Sequence, residues 1–461
     1  MKKIIVLSLA CFLSFMSFSQ SQNQGINAQM LEKIKQSYNN SFQDKALRNA
    51  ISNNPIDKLV TNLENESNYD TYFSNRVKTK GISDQKSSGR CWMFAGFNVL
   101  RSEMISKFNL GDFNFSHNYL FFYDQLEKSN LFLSLIIKHK EEALDSENNK
   151  WLLKNVLSDG GQFTGVSDLV MKYGLVPSSI QPETYNSENT RTISNLITLK
   201  LKEFALELRE AKVNEIETKK IEMLSTIYRM LVLAYGEPIS EFNYTLRDAS
   251  GKEISTEKYT PKSFYEKFIA KDLTKEYVML MNDPTRPYNK LYEIENDRHV
   301  VDGYNWRYIN LPIEDIKKIA IESIKDSIMM YFSCDVGKFY NRQKGLLDLN
   351  NYDYGSLMGT SFSMDKKQRI QTFASGSSHA MTLCAVDLDK NGKPKKWLVE
   401  NSWGNNAAWQ GHLIITDEWF NEYMFRLVVE RKYISSKILD ILNQVPIILP
   451  PWDPMFAEDI D

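Results

Sequence analysis

Four residues of this chain have the types and neighbours that thiol chemistry needs: Gln85, Cys91, His379 and Asn401. Cys91 stands in SDQKSSGRCWMFAG (83–96), after a Gly-Arg pair and at the start of a long apolar stretch. A cysteine in the first turn of a helix sits at the positive end of the helix dipole, which favours the thiolate, and the thiolate is the attacking species. Ser87, Ser88 and Gly89 suit a cap and a turn into that helix. Gln85 is close enough in sequence to swing its side-chain amide toward the same point. With the Cys91 backbone N–H it would make a two-donor oxyanion hole, each donor contributing a factor of roughly 10²–10³. The competing reading is that of most free cysteines, which pack as small hydrophobes in a core.

A base must come from five histidines. His117 lies in an aromatic-rich helical stretch, His139 among lysines on what reads as a solvated face, His299 in a polar segment, and His412 at the start of a strand. His379 differs. It begins SHAMTLCAVDLDKNGKPKKWLVENSWG, in which two apolar runs flank Asp389-Lys390-Asn391-Gly392. Asn-Gly between apolar runs signals a hairpin. A turn centred near residue 390 pairs 379 with 401, with Cα atoms about 4.5–5.5 Å apart. The Asn401 carbonyl would then hold one imidazole N–H and leave the other ring nitrogen for a thiol. A one-residue slip would spoil this geometry.

The elements that must carry these residues are legible as pattern. Residues 29–52, 115–140 and 165–173 read as helical, and 91–108 as a helix apolar almost all round, hence buried. Residues 191–235 shift to Leu, Glu, Lys and Ala with apolar residues three and four apart, which predicts two long amphipathic helices forming an insertion. A further helix is expected at 313–332, and strands at 380–387, 395–401, 411–416 and 425–431. Helices first and strands last indicate an α+β fold.

The chain has 461 residues, 42% hydrophobic and 25% charged, enough for one large domain or two to three smaller ones. A net charge of −2 gives no footprint for nucleic acid or an anionic membrane. Met1-Lys2-Lys3, the apolar run Ile4 to Phe18 and the small-x-small site Ser17-Phe18-Ser19 read as an export signal cleaved before Gln20. Cys11 raises a lipoprotein alternative, but Ser8 stands where such signals usually carry leucine. The expected product is exported, periplasmic or secreted, with no stable membrane anchor. Without residues 1–19 the charge is about −4, and three cysteines remain: Cys91, Cys334 and Cys384. An odd number leaves at least one free thiol, which a catalytic role would explain.

These motifs resemble papain-like cysteine peptidases, and within them the bleomycin hydrolase and aminopeptidase C branch. Gln-x₅-Cys-Trp, a distant His and Asn-Ser-Trp-Gly form the general pattern. DGGQF (159–163), KYGLVP (172–177), CDVGK (334–338), SSHAMTLCAV (377–386), ENSWG (400–404), TDEWF (416–420) and LPPWDPM (449–455) narrow it. The resemblance runs from about residue 30 to 455 in order.

It implies a papain-like α+β core with large helical insertions, a homo-hexamer around a central channel, peptide substrates and no cofactor or metal. Cys91 would attack the scissile carbonyl, His379 would protonate the leaving amine, Asn401 would orient His379, and Gln85 would donate to the oxyanion. Trp403 would pack over the His–Asn contact, while Gly160 and Gly161 would let substrate backbone approach closely. The implied organisation is a signal at 1–19, N-terminal helices and the helical half of the core at 20–190, a mainly helical insertion at 191–330, the strand-rich half at 331–448 and a C-terminal arm at 449–461. That arm would lie in the cleft, stiffened by prolines and anchored by Trp452 and Met455. Its end, at Asp461, would meet a substrate's free amine and make the enzyme an aminopeptidase. The chain departs from the family in its export signal, its acidic balance and its longer acidic end. An endopeptidase on the same scaffold, a non-catalytic peptide-binding hexamer and a Cys–His acyltransferase are the competing functions.

Overall fold

The computed structural model describes residues 25–65 and 70–455. Two compact units divide near Val60. In the first, residues 29–52 do not form one helix. Helices Ala28–Gln36 and Phe42–Asn53 are separated by a turn in which Asn40 takes a left-handed φ of 45°. Ser41 restarts the chain as an N-cap, in a capping box with Asp44.

The second unit is built on a mixed sheet of twelve strands, flanked by helices. Its middle is antiparallel: Tyr277–Met281, Met424–Glu430, Met330–Cys334, His379–Leu388, Pro394–Glu400 and His412–Thr416 follow one another in space. These strands are almost wholly buried, which explains why they read as continuous apolar runs. The expected helix at 313–332 ends at Lys325. Ser327 turns with φ 62°, and the apolar Met330–Cys334 run becomes a strand. Within 191–330 the two long helices form, at Arg191–Glu210 and Ile216–Tyr235. The rest of that stretch is not mainly helical. It holds the hairpin Phe242–Arg247/Glu253–Tyr259 and the strands Tyr277–Met281, Lys290–Ile294 and Arg307–Asn310, which join the main sheet.

Fourteen of the eighteen residues of helix Cys91–Phe108 are buried, as its unbroken apolar surface predicts. It packs on helix Phe163–Tyr173 and on strands Met330–Cys334 and His379–Leu388. Gly96 permits the first contact, since a Cβ there would lie 2.7 Å from Val166 Cγ2. Farther along, the Arg101 guanidinium donates to Glu400 Oε1 at 2.6 Å and to the Gly81 carbonyl at 2.9 Å. Both members of this ion pair are buried, so removing either would leave a lone interior charge at a cost of about 3–5 kcal/mol. The pair fixes the helix to the residue just before Asn401. Among the described residues no helix is long and apolar enough to cross a membrane.

Candidate active site

Cys91 is the first residue of its helix. The serines before it do not cap. Arg90 holds the N-cap position without a side-chain cap bond. The Ser88 hydroxyl instead donates to the Gln85 carbonyl at 2.6 Å and accepts Arg90 Nε at 2.9 Å. Arg90 is itself buried, paired with Glu183 at 2.9 Å and packed on the faces of Phe94 and Phe121. The helix start is therefore fixed by a buried guanidinium; the Met93 N–H donates to the Arg90 carbonyl at 2.9 Å, and the N–H groups of Cys91 and Trp92 lie ahead of the first intrahelical bond.

His379 is the first residue of its strand, and its Nε2 meets Asn401 Oδ1 at 2.8 Å. The contact is as expected, but the register that makes it is not. The hairpin turns at Asp389–Lys393, where Asp389 Oδ1 accepts the Asn391 and Lys393 N–H groups and Gly392 takes φ +77°. Thr382 then faces Glu400, with a bulge between Leu383 and Ala385, so 379 and 401 are not cross-strand partners. Each stands an odd number of residues from the Thr382–Glu400 pair, which keeps the two on one face. Trp403 stacks on the imidazole at 4.9 Å between centroids and 25° between planes.

Gln85 reaches the same place through backbone pairing. Its N–H donates to the Ser402 carbonyl at 2.8 Å, Gly404 N–H donates to the Ser83 carbonyl, and Asp84 bridges Trp403. The Ser402 hydroxyl donates to Gln85 Oε1 at 2.6 Å, and Gln85 Nε2 donates to the Ser88 carbonyl at 2.7 Å. That turn uses one of the two amide N–H bonds. Gln85, Cys91, His379 and Asn401 are all buried, Cys91 and His379 completely.

The peptidase C1-like family model matches residues 25–456. This chain belongs to that family. It is similar to aminopeptidase C of Streptococcus thermophilus, 36% identical over 437 residues that make up 93% of this chain and 98% of the relative. It is also similar to human bleomycin hydrolase, 36% identical over 451 residues, 94% of this chain and 99% of the relative. The crystal structure of PepW from Lactobacillus rhamnosis HN001 superposes with a TM-score of 0.90 at 36% identity, covering 94% of this chain and 99% of that one. The protein is thus a cysteine peptidase with the mixed helix-and-sheet fold of its family.

In this peptidase the Gly160-Gly161 loop follows the helix Glu147–Lys154 and leads into helix Phe163–Tyr173. Both glycines are buried. A Cβ at Gly161 would collide with the His299 ring and lie 2.8 Å from Trp92 Cδ2, so internal packing alone requires glycine there. His299 comes from a polar segment, as read, but its ring is inside the protein. It is buried, bonded through Nδ1 to Asp124 Oδ1 at 2.5 Å. His139 is likewise buried and bonded to Glu142 rather than set on a solvated face. No spacing rule could have found the Asp124–His299 contact, since its members lie 175 residues apart.

Strand Ile447–Leu449, beside Lys290–Ile294, leads into the C-terminal arm. Met455 anchors it as expected, buried, with its carbonyl accepting Arg426 Nη2 at 3.1 Å. Trp452 does not, being 40% exposed; the second anchor is Asp453, paired with Arg286. The Pro454 carbonyl comes 4.0 Å from the Cβ position of Gly376, three residues before His379. Residues 1–24 and 456–461, with the export signal and Asp461, lie outside the described residues.

Proposed function

We propose that the protein is a cysteine aminopeptidase that removes N-terminal residues from peptides through Cys91, His379 and Asn401. The observation that carries this reading is the His379 Nε2–Asn401 Oδ1 bond at 2.8 Å, set on a strand packed against the helix that Cys91 begins. With Nε2 held by Asn401, Nδ1 is the nitrogen that takes the thiol proton. The thiolate attacks the carbonyl carbon of the N-terminal residue. Negative charge develops on the carbonyl oxygen, where the Cys91 N–H and the Gln85 amide donate. The imidazolium then protonates the departing amine, and the C–N bond breaks to leave a thioester. Water, deprotonated by His379, hydrolyses the thioester and restores the thiol.

Selection for a free amine is assigned to the arm. Its described part reaches residue 376, which supports the acidic continuation, with Glu458, Asp459 and Asp461, as the group that receives a substrate ammonium. A peptide amide with a free amine should be cleaved and its N-acetylated twin should not. Deleting residues 456–461 should shrink that preference on the order of 10²-fold, the worth of one desolvated ion pair of about 3 kcal/mol. If the truncated enzyme keeps the same ratio, the arm is not the selector; if the intact enzyme cleaves both twins equally, the endopeptidase reading replaces this one.

Two further parts belong to the proposal. The homo-hexamer is supported by apolar residues left exposed on the two long helices, Leu196, Leu199 and Leu206 on one and Ile221 and Leu233 on the other. Export is supported by the Lys2-Lys3 head, the apolar run and Ser17-x-Ser19. N-terminal sequencing of protein from the native cell should start at Gln20; an intact Met1 on soluble cytoplasmic protein would remove the export assignment.

A further inference from the structure

Three buried ionisable side chains take no part in the reaction above. Asp124 and Lys128 stand one turn apart on helix His117–Lys138, and His299 comes from the segment between strands Lys290–Ile294 and Arg307–Asn310. Asp124 is fully buried, and Lys128 and His299 nearly so. Asp124 Oδ1 meets His299 Nδ1 at 2.5 Å, and its Oδ2 lies 3.3 Å from Lys128 Nζ. Burial pushes the Asp124 carboxyl up, but Lys128 and His299 outweigh it and hold the group below the usual carboxylate range. Sequestering three such groups is expensive, and an apolar helix contact would hold the same elements together.

What they touch is one loop. Lys128 Nζ donates to the Ser158 carbonyl at 2.9 Å and to the Gly160 carbonyl. The carbonyl between them, of Asp159, accepts Trp92 Nε1 at 2.7 Å. The His299 ring fills the space that Gly161 and Gly165 leave by lacking side chains, and it meets Trp92 edge-on at 4.7 Å. Three successive carbonyls are thereby tied to Lys128 and to the residue that follows Cys91. Lys128 and Ser158 also line a cleft of about 500 Å³ together with Ser377 and Ser378, which precede His379 in the chain.

We propose that Lys128, kept in place by Asp124 and His299, is a positioning residue for peptide hydrolysis. It fixes the Ser158–Gly161 backbone relative to the helix that Cys91 begins, so that an extended substrate backbone can lie beside the loop. The proposal rests on the peptidase reading and on this loop as the substrate's backbone rest.

The test uses the full chain and the Lys128→Met variant, which keeps the stem and removes the donor. kcat/KM on a free-amine peptide amide should fall on the order of 10²-fold, with most of the loss in KM. Alkylation of Cys91 by iodoacetamide, which has no peptide backbone to seat, should keep its wild-type rate. Because Lys128 lines the cleft, ethylamine should restore part of the activity of Lys128→Ala. His299→Gln, which retains a donor toward Asp124 but leaves the Gly161 notch unfilled, should raise KM in the same way if Lys128→Met does not fold. An unchanged kcat/KM in the folded variants would overturn the proposal. So would a parallel loss of Cys91 alkylation, because the cluster would then support the helix rather than the loop. A wild-type enzyme inactive on every peptide amide would instead sink the peptidase reading itself.

Discussion

Replacing Cys91 with alanine should lower turnover of a free-amine peptide amide by at least about 10⁴-fold while leaving folding intact. The substitution removes one sulfur atom and adds no bulk, so circular dichroism should match the wild type. Iodoacetamide, read by peptide mapping, should label Cys91 ahead of Cys334 and Cys384. Access alone does not rank the three, since all are buried. Chemistry does. Cys91 opens a helix, whereas burial and then the nearby Glu400 push the Cys384 thiol up, and its sulfur donates to the Leu398 carbonyl at 3.4 Å. A folded enzyme in which Cys91 stays inert while another thiol reacts would show that the nucleophile has been wrongly chosen.

His379→Ala should be nearly as damaging, within about tenfold of Cys91→Ala, and the double variant no worse than either alone. The reason is that in the proposed mechanism thiol and imidazole act as a unit: without a base the thiol keeps its proton, and without the thiol the base has nothing to activate. Asn401→Ala should cost less, on the order of 10²-fold, because it lets the ring turn without removing the proton carrier. Single-turnover rates for the four proteins test this directly. Independent, multiplying losses for Cys91 and His379 would mean that the two do not work together.

The contact between His379 and Asn401 was easier to read from the chain than the scaffold that delivers it. Cys91 to Phe108 was legible to the residue because it is apolar on every side and begins at a sharp Ser-Ser-Gly-Arg turn. The four central strands after residue 379 were legible for the same reason, an apolar run bounded by turn residues. Met330–Cys334 was not, because a short apolar run following a helix shows no period that separates the two. Strands Lys290–Ile294 and Arg307–Asn310 were missed because turn-rich sequence between them hides short strands. Register was the subtlest loss. A bulge near Cys384 and a turn centred about one residue beyond 390 shifted every pair, yet His379 and Asn401 still meet, because the shift preserved their common face. The clamp on Ser158–Gly161 had no signal at all, since Lys128 on a helix reads as a solvated charge until the fold closes over it.

Full burial of Cys91 also sets how such an enzyme would age. A thiolate is the first rung of an oxidation ladder that runs through sulfenic acid to forms that cannot be reduced, and the first step needs contact with peroxide. A resting site whose thiol exposes no surface slows that contact, as it slows alkylation, and leaves both to the openings that admit a small reagent. Cys91 would meet oxidant in the intervals when substrate enters or product leaves, and the acyl-enzyme would mask the sulfur for part of each cycle. Lifetime in an oxidising medium would then be counted in turnovers rather than in hours.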